Sequence, residues 1–242
     1  MKDLKFLENN LIAHRGYHNT KKSVPENSIK AFRRAVRYGY IIELDIHLLK
    51  DGNIVVFHDD NLKRVCGVNK NINDCTYDEI KHLKLFNTNE KIPLLEDVLK
   101  VVDGKVPILI EIKYYSKYGG LERKLFEILN NYKGIYAIQS FYPKTIYWLK
   151  KNKPDVIRGL LSSDFKNKGG TLRQIIGKTL ILDIILKTDF ISFDIRALPN
   201  FFVDKKKMKK RVLGWTVRTK KDYDLARKCC DNLICENMEE YK

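Results

Sequence analysis

Short apolar runs of strand length recur eight times along the chain, and most of them are separated by amphipathic helical patterns. In the first helical pattern, residues 28–38, Ile29, Phe32 and Val36 share one face, and Gly39 is placed to end the helix. Eight strands alternating with helices in 242 residues are typical of a (β/α)8 barrel, so we predict an α/β TIM barrel. An open doubly wound sheet is the alternative, although no GxGxxG motif follows the first strand. The predicted strands are 11–13, 41–48, 106–112, 135–139, 157–161, 190–193, 212–217 and 233–235.

The sequence between these elements has no linker, low-complexity tract or repeat beyond the strand–helix period. We therefore predict a single domain over residues 1–242. The KDGN sequence after Leu49 has strand-like residues on both sides and predicts a small hairpin inserted after the second strand. Thr76 and Glu79 have the spacing of a capping box. Residues 169–190 can be divided into helices in several ways.

The chain is strongly basic, with 46 Lys and Arg against 30 Asp and Glu, which gives a net charge of +16. Such a surface attracts anions in general. Because no nucleic-acid recognition motif is present, we expect no nucleic-acid partner. The five cysteines form no CxxC pair, which favours reduced and mostly buried thiols. The sequence shows no signal-peptide pattern and no membrane-spanning run, so we expect a cytoplasmic protein, and the oligomeric state stays open.

Titratable residues crowd into residues 43–60, ELDIHLLKDGNIVVFHDD, although the apolar residues there alternate as in a half-buried strand. Charged groups inside a sheet are costly unless they are paired or bound to a metal. In a barrel the chemistry lies at the C-terminal ends of the strands. We therefore expect these groups to converge on one rim with other residues that end strands, namely His14, Arg15, Glu111, Lys113 and Trp215.

Three carboxylates among these residues have the pattern of a metal site. Glu43 and Asp45 are two apart, so their side chains leave one strand in the same direction, and Glu111 can meet them from the next strand. Three oxygen donors without a cysteine suit a hard divalent cation, Mg2+ or Ca2+. The alternative is a network of ion pairs in which Arg15 or Lys113 neutralises these acids.

Two histidines at the same rim, His14 and His58, are candidates for an acid–base pair because imidazole titrates near neutrality. The PEN sequence at 25–27 has two interpretations. Asn27 is expected to cap the helix that begins at Ser28, whereas Glu26 could reach the rim as a substrate-binding residue.

Seven segments resemble the glycerophosphodiester phosphodiesterase family in order and approximate spacing: IAHRG, PENSIKAF, IELDIHLLKDGNIVVFHDD, IPLLEDVL, IEIK, QSF and GWTV. The resemblance covers nearly the whole chain and indicates a compact bacterial form. It implies a TIM barrel and metal-dependent hydrolysis of glycerophosphodiesters to sn-glycerol 3-phosphate and an alcohol, in glycerol and phospholipid metabolism. By this resemblance Glu43, Asp45 and Glu111 hold the metal, His14 and His58 act as acid and base, Arg15 and Lys113 hold phosphate oxygens, and Trp215 packs against glycerol. Which histidine is the acid stays open, and we favour His14.

Two departures and two alternatives accompany the resemblance. After the second histidine the family's Arg-Thr-rich loop reads NLKRVCGVNKN, which keeps Arg64 and lacks the threonine, and Glu236 stands where an Asp is common. One alternative is phospholipase D-like hydrolysis of lysophospholipids. The other is a polyanion-binding module without turnover, for which the run DKKKMKKR at 204–211 is the best feature. We expect that run to be a solvated helix face away from the active site.

Overall fold

The computed structural model describes residues 2–113, 117–166 and 170–241. The chain divides into two compact units, one of Ala13–Tyr136 and the other of Met1–Ile12 with Ala137–Lys242. That residues 1–242 form one domain stays a prediction.

The unit Ala13–Tyr136 begins at the border of strand β1 (Ile12–Ala13) and alternates helices with strands. Its elements are α1 (Ile29–Tyr38), β2 (Ile41–Leu48), β3 (Ile54–Val56), α2 (Lys63–Cys66), α3 (Tyr77–Ile80), α4 (Leu95–Val102), β4 (Ile108–Ile112) and α5 (Gly120–Leu129).

Strand β2 is the centre of this unit and pairs on both edges. It runs antiparallel to β3, which confirms the predicted hairpin, with Ile46 opposite Val56. It runs parallel to β4, with Asp45 opposite Glu111. Every residue of β2 is buried, so the acids on this strand lie inside the protein rather than on a solvated face.

Helix α1 begins one residue later than the sequence indicates. Ser28 is the N-cap, because its hydroxyl accepts a hydrogen bond from the Ala31 N–H at 3.1 Å. The prediction that Asn27 caps this helix is therefore wrong. The helix ends at Gly39 as predicted, with φ of 70°, a left-handed conformation that glycine adopts without a steric penalty.

The hairpin is part of a larger excursion with an apolar core of its own. Leu49, Val55 and Phe57 from the hairpin pack with buried residues of the segments that carry α2 and α3, including Leu62 and Ile72. The predicted capping box of Thr76 and Glu79 is present at the start of α3. This packing anchors the segment that begins with His58.

The second unit continues the alternation of strands and helices. Its elements are β5 (Tyr136–Ser140), α6 (Pro143–Asn152), β6 (Arg158–Ser162), α7 (Thr171–Thr179), α8 (Leu182–Leu186), β7 (Phe190–Asp194), α9 (Phe201–Lys207), β8 (Arg211–Val217), α10 (Lys220–Cys229) and β9 (Asn232–Cys235). Strands β5 to β9 pair in chain order, each parallel to the next. With β3 set aside as the hairpin strand, the strands of the two units correspond one for one to the eight predicted strands.

The basic run 204–211 is not simply a solvated face. Asp183 on α8 is buried, and Lys206 and Lys210 each contact its carboxylate at 2.6 Å. Thr188 donates a further hydrogen bond to it at 2.5 Å. For these two lysines the expectation of a solvated face is wrong, because they neutralise a buried acid that lies more than twenty residues earlier in the chain.

All five cysteines are free thiols, and Cys75, Cys230 and Cys235 are buried, as the sequence indicates. Within residues 2–113, 117–166 and 170–241, no helix has both the length and the apolar character needed to cross a membrane.

Candidate active site

Three carboxylates meet inside the unit Ala13–Tyr136. Glu43 and Asp45 point the same way from β2, and the parallel register places Glu111 of β4 directly beside Asp45. One oxygen from each of the three side chains lies within 4.8 Å of the other two, and all three residues are buried. The structure thus brings together the three acids that the sequence analysis selected as metal ligands.

Two basic residues contact this carboxylate cluster. The Lys113 ammonium lies 2.5 Å from Glu111 Oε1 and 2.8 Å from Asp45 Oδ1. The Arg15 guanidinium lies 3.6 Å from Asp45, and the Arg15 backbone N–H donates to Glu43 Oε2 at 2.9 Å. Lys113 therefore forms ion pairs with two of the acids, as the ion-pair alternative expects, whereas Glu43 receives its hydrogen bond from a neutral backbone group.

The pKa values of the acids reflect this uneven distribution of charge. Burial, together with the negative charges of Asp45 and Glu111, raises the pKa of Glu43 well above its usual value. Burial also raises the pKa of Glu111, even though Lys113 acts against it. Burial alone would raise the pKa of Asp45 too, but Lys113, His58 and Arg15 hold it below its usual range. The cluster is thus short of positive charge, and the shortage is greatest at Glu43.

Asn27 is a member of the site that the sequence analysis assigned elsewhere. Its amide donates to Asp45 Oδ2 at 2.8 Å, and its backbone N–H donates to the Arg15 carbonyl at 2.9 Å. It is buried and has φ of 52°, a left-handed conformation that asparagine tolerates better than most residues. Asn27 therefore fixes the orientation of the Asp45 carboxylate and ties it to the segment of Arg15.

A chain of charged side chains extends from His58. Asp59 Oδ1 lies 2.6 Å from His58 Nδ1, and Arg64 donates two hydrogen bonds to the same carboxylate. Arg64 also binds Glu26, which in turn receives a hydrogen bond from Arg15 at 2.7 Å. Burial raises the pKa of Asp59, but His58 and Arg64 outweigh it, so the pKa of this carboxyl is depressed and the group stays ionised. Arg64, Glu26 and Asp59 thereby connect His58 to Arg15.

His47 lies in the same acidic stretch, and its ring contacts Asn73 and the backbone of His58. It is fully buried, and its ring nitrogens lie 3.3 Å from Asn73 Oδ1 and 3.2 Å from the His58 carbonyl oxygen. Burial lowers the pKa of His47, which favours a neutral ring. His47 therefore holds the backbone at His58 in place.

His14 follows β1 and is buried. The turn after it is tight: Arg15 and Gly16 both have positive φ, at 53° and 78°. A Cβ at Gly16 would come within 3.0 Å of Ala31 and Phe32 on α1, so only glycine lets this turn pack so closely. The turn places His14 immediately before Arg15, whose backbone binds Glu43.

Trp215 lies on β8, in the second unit. It lines a cavity of about 280 Å³ with Phe141, Phe165, Asp194 and Arg196 among its other walls. The Phe141 and Trp215 rings meet edge to face at 5.3 Å. Within the described residues the buried indole N–H of Trp215 has no hydrogen-bond acceptor. The cavity therefore combines the aromatic side chains of Phe141, Phe165 and Trp215 with the charged side chains of Asp194 and Arg196.

Comparisons with known proteins identify the family of the chain. The model of the glycerophosphoryl diester phosphodiesterase family matches residues 14–239. The chain belongs to this family. A glycerophosphodiester phosphodiesterase of Caldanaerobacter subterraneus subsp. tengcongensis is 37% identical over 163 residues, which are 62% of this chain and 65% of that relative. The alignment thus spans slightly less than two thirds of the relative's length.

Solved structures show the same fold. A glycerophosphodiester phosphodiesterase from Parabacteroides distasonis is 26% identical, with a TM-score of 0.78 over 96% of this chain and 94% of that one. A phosphodiesterase from Oleispira antarctica, solved with the product sn-glycerol-3-phosphate, is 21% identical, with a TM-score of 0.78 over 95% and 93%. The fold of the chain is the (β/α)8 barrel that the sequence predicts.

Proposed function

We propose that the protein is a metal-dependent phosphodiesterase that hydrolyses glycerophosphodiesters to sn-glycerol 3-phosphate and an alcohol. The observation that carries this proposal is the buried cluster of Glu43, Asp45 and Glu111, with Lys113 and Arg15 in contact with it. Membership of the family and the product bound to the Oleispira antarctica phosphodiesterase support the choice of substrate.

The residues of the cluster fit a divalent cation. All the donor atoms are carboxylate oxygens, which Mg2+ and Ca2+ prefer. Burial and the neighbouring carboxylates raise the pKa values of Glu43 and Glu111, which supports a cation beside them because it would stabilise their ionised forms. We propose that Glu43, Asp45 and Glu111 hold the cation. When bound, the cation would supply positive charge that stabilises the phosphoryl oxygens as negative charge develops on them.

The basic residues beside the cluster would bind the substrate. Arg15 offers a planar set of donors suited to a phosphate, and Lys113 offers a compact positive charge. Glu26 and Asp45 both contact the Arg15 guanidinium, so its orientation is fixed before substrate arrives. We propose that Glu26 positions Arg15 and does not contact substrate directly, because its carboxylate already accepts hydrogen bonds from Arg15 and Arg64.

The two histidines would move the protons of the reaction. Asp59 holds the Nδ1 side of His58, which leaves Nε2 to accept a proton from the attacking hydroxyl or water. A carboxylate partner also stabilises the imidazolium that forms, as in other histidine bases. This favours His58 as the base and His14 as the acid that protonates the departing alcohol oxygen. Trp215 would pack against the carbon side of the glycerol moiety.

Product analysis tests the substrate class. We expect release of sn-glycerol 3-phosphate from glycerophosphocholine and glycerophosphoethanolamine, and loss of that release in His14→Ala and His58→Ala. A lysophospholipid assayed in parallel separates the alternative. If the lysophospholipid is cleaved and the soluble diesters are not, the phospholipase D-like alternative is correct. If no phosphodiester is cleaved by the folded, metal-supplied protein, the proposal is wrong.

A further inference from the structure

Exposed apolar side chains are concentrated in one part of the second unit. Of the fifteen large hydrophobic residues that are exposed in the described chain, eight lie between residues 172 and 208. They include Leu172 and Ile175 on α7, which are 71% and 53% exposed, and Phe201 on α9, which is 62% exposed. Single exposed hydrophobic residues need no explanation, but a concentration of them marks an interaction surface.

Two of the helices in this part enclose a groove. A cavity of about 700 Å³ lies between α7 and α9, and its apolar lining includes Ile175, Leu198, Phe201 and Phe202. Leu172 lies one turn before Ile175 on the same face of α7. We call these five residues the α7–α9 surface.

The same part of the chain carries a large positive charge. Residues 166–211 contain twelve Lys and Arg against four Asp, a net charge of +8, half of the total of the protein. Lys166, Lys178 and Arg196 line the groove. Three of the four acids are paired, Asp183 with Lys206 and Lys210, Asp189 with Lys2 and Asp194 with Arg196. Asp164 also lines the groove and lies 3.7 Å from Lys166. Basic groups therefore frame the apolar side chains.

We propose that the α7–α9 surface docks on an anionic lipid bilayer. Apolar side chains framed by Lys and Arg are the pattern of a monotopic contact, in which the apolar residues enter the headgroup region and the basic residues bind lipid phosphates. A second copy of this chain fits less well, because it would bring two surfaces of net charge +8 together. A nucleic acid would leave the apolar side chains without a partner. The proposal is independent of the phosphodiesterase activity.

Vesicle sedimentation tests the docking directly. The full chain should bind vesicles that contain phosphatidylglycerol, should not bind vesicles of phosphatidylcholine alone, and should be released as salt is raised. Leu172→Ser with Ile175→Ser and Phe201→Ser should weaken binding roughly tenfold or more, because three apolar side chains no longer enter the lipid. The matched control is Ile135→Ser with Leu225→Ser, which removes exposed apolar residues elsewhere.

The basic residues have a control of equal charge. Lys178→Gln with Lys205→Gln should weaken binding to anionic vesicles roughly tenfold, whereas Lys81→Gln with Lys100→Gln should leave it near that of the wild type. Circular dichroism verifies folding, and if the triple variant is unfolded, Leu172→Ser with Lys178→Gln replaces it. The proposal is overturned if either control variant loses as much vesicle binding as the variant it is compared with. Equal binding of the wild type to neutral vesicles also overturns it, as does a dimer in solution that the triple variant dissociates.

Discussion

Replacing Glu43 by Gln should stabilise the metal-free protein. Glu43 lies within 4.8 Å of two other buried carboxylates, and its hydrogen bond comes from the Arg15 backbone, which a glutamine oxygen can accept equally well. At an effective dielectric constant of 20, one pair of ionised carboxylates at that distance repels by about 3 kcal/mol. The raised pKa of Glu43 limits this repulsion, because the group can take up a proton instead. We therefore expect the free energy of unfolding to rise by about 1–2 kcal/mol.

The contrasting variant is Asp183→Asn, which changes a buried carboxylate that has the opposite surroundings. Asp183 lies between Lys206 and Lys210, so the change leaves two ammonium groups facing each other. We expect a loss of about 3 kcal/mol, the lower end of what breaking a buried ion pair costs. Burial raises the pKa of Asp183, but the hydrogen bonds from Lys206, Lys210 and Thr188 outweigh it and hold the folded pKa below its ordinary value. The stabilisation is therefore complete above about pH 5 and is lost as the pH falls through the folded pKa.

Urea denaturation of the EDTA-treated proteins measures both changes. Glu43→Gln should raise the denaturation midpoint, and it should also remove the stabilisation that added Mg2+ or Ca2+ gives the wild type, because binding to the native state alone stabilises it. If Glu43→Gln destabilises the metal-free protein, or if the metal still stabilises the variant, then Glu43 is a structural acid and the reasoning is wrong.

Three further predictions concern the proton-transfer groups, the glycerol contact and the basic run. His14→Ala and His58→Ala should each lower kcat by about 10²–10⁴-fold without changing metal affinity. A substrate with an activated aryl leaving group should restore turnover only in the variant that lacks the acid, which we expect to be His14→Ala. Rescue of neither variant, or loss of metal binding in either, would refute these roles. Trp215→Ala should raise KM for glycerophosphodiesters far more than KM for an aryl phosphodiester without glycerol, and equal increases would count against a glycerol contact. Replacing both Lys206 and Lys210 by Gln should lower the denaturation midpoint, because Asp183 loses its partners. Replacing Lys205, Lys207 and Lys209 by Gln should leave kcat near that of the wild type, and a large fall in kcat with the fold intact would contradict this expectation.

The strands and the acidic cluster could be predicted because their signals are local. Alternation along residues 41–48 determines which side chains share a face, and Glu43 and Asp45 follow from that periodicity. Placing Glu111 beside them required only that the next strand of the barrel run parallel.

The N-cap of α1 was predicted wrongly because two adjacent residues both favour the N-cap position. Asn27 and Ser28 both favour N-cap positions, so the sequence could not decide which of them caps α1. In the structure Ser28 is the N-cap, and the Asn27 side chain donates a hydrogen bond to Asp45 instead.

The contacts that sequence reasoning missed join residues far apart in the chain. Arg64 reaches Glu26 across 38 positions, and Lys206 reaches Asp183 across 23. No periodicity relates such positions, because each contact depends on how several elements pack. A lysine-rich run therefore looks solvated in the sequence even when two of its members neutralise a buried acid.

One assay tests whether phosphodiester hydrolysis depends on a divalent cation held at Asp45. Release of sn-glycerol 3-phosphate from glycerophosphocholine is measured for the wild type and for Asp45→Ala, after EDTA treatment and again after Mg2+ or Ca2+ is restored. We predict that EDTA abolishes release by the wild type and that one of the cations restores it. Asp45→Ala should stay inactive with either cation and should bind the cation more weakly in calorimetry. Undiminished release in EDTA, or cation-restored activity in Asp45→Ala, would contradict this prediction.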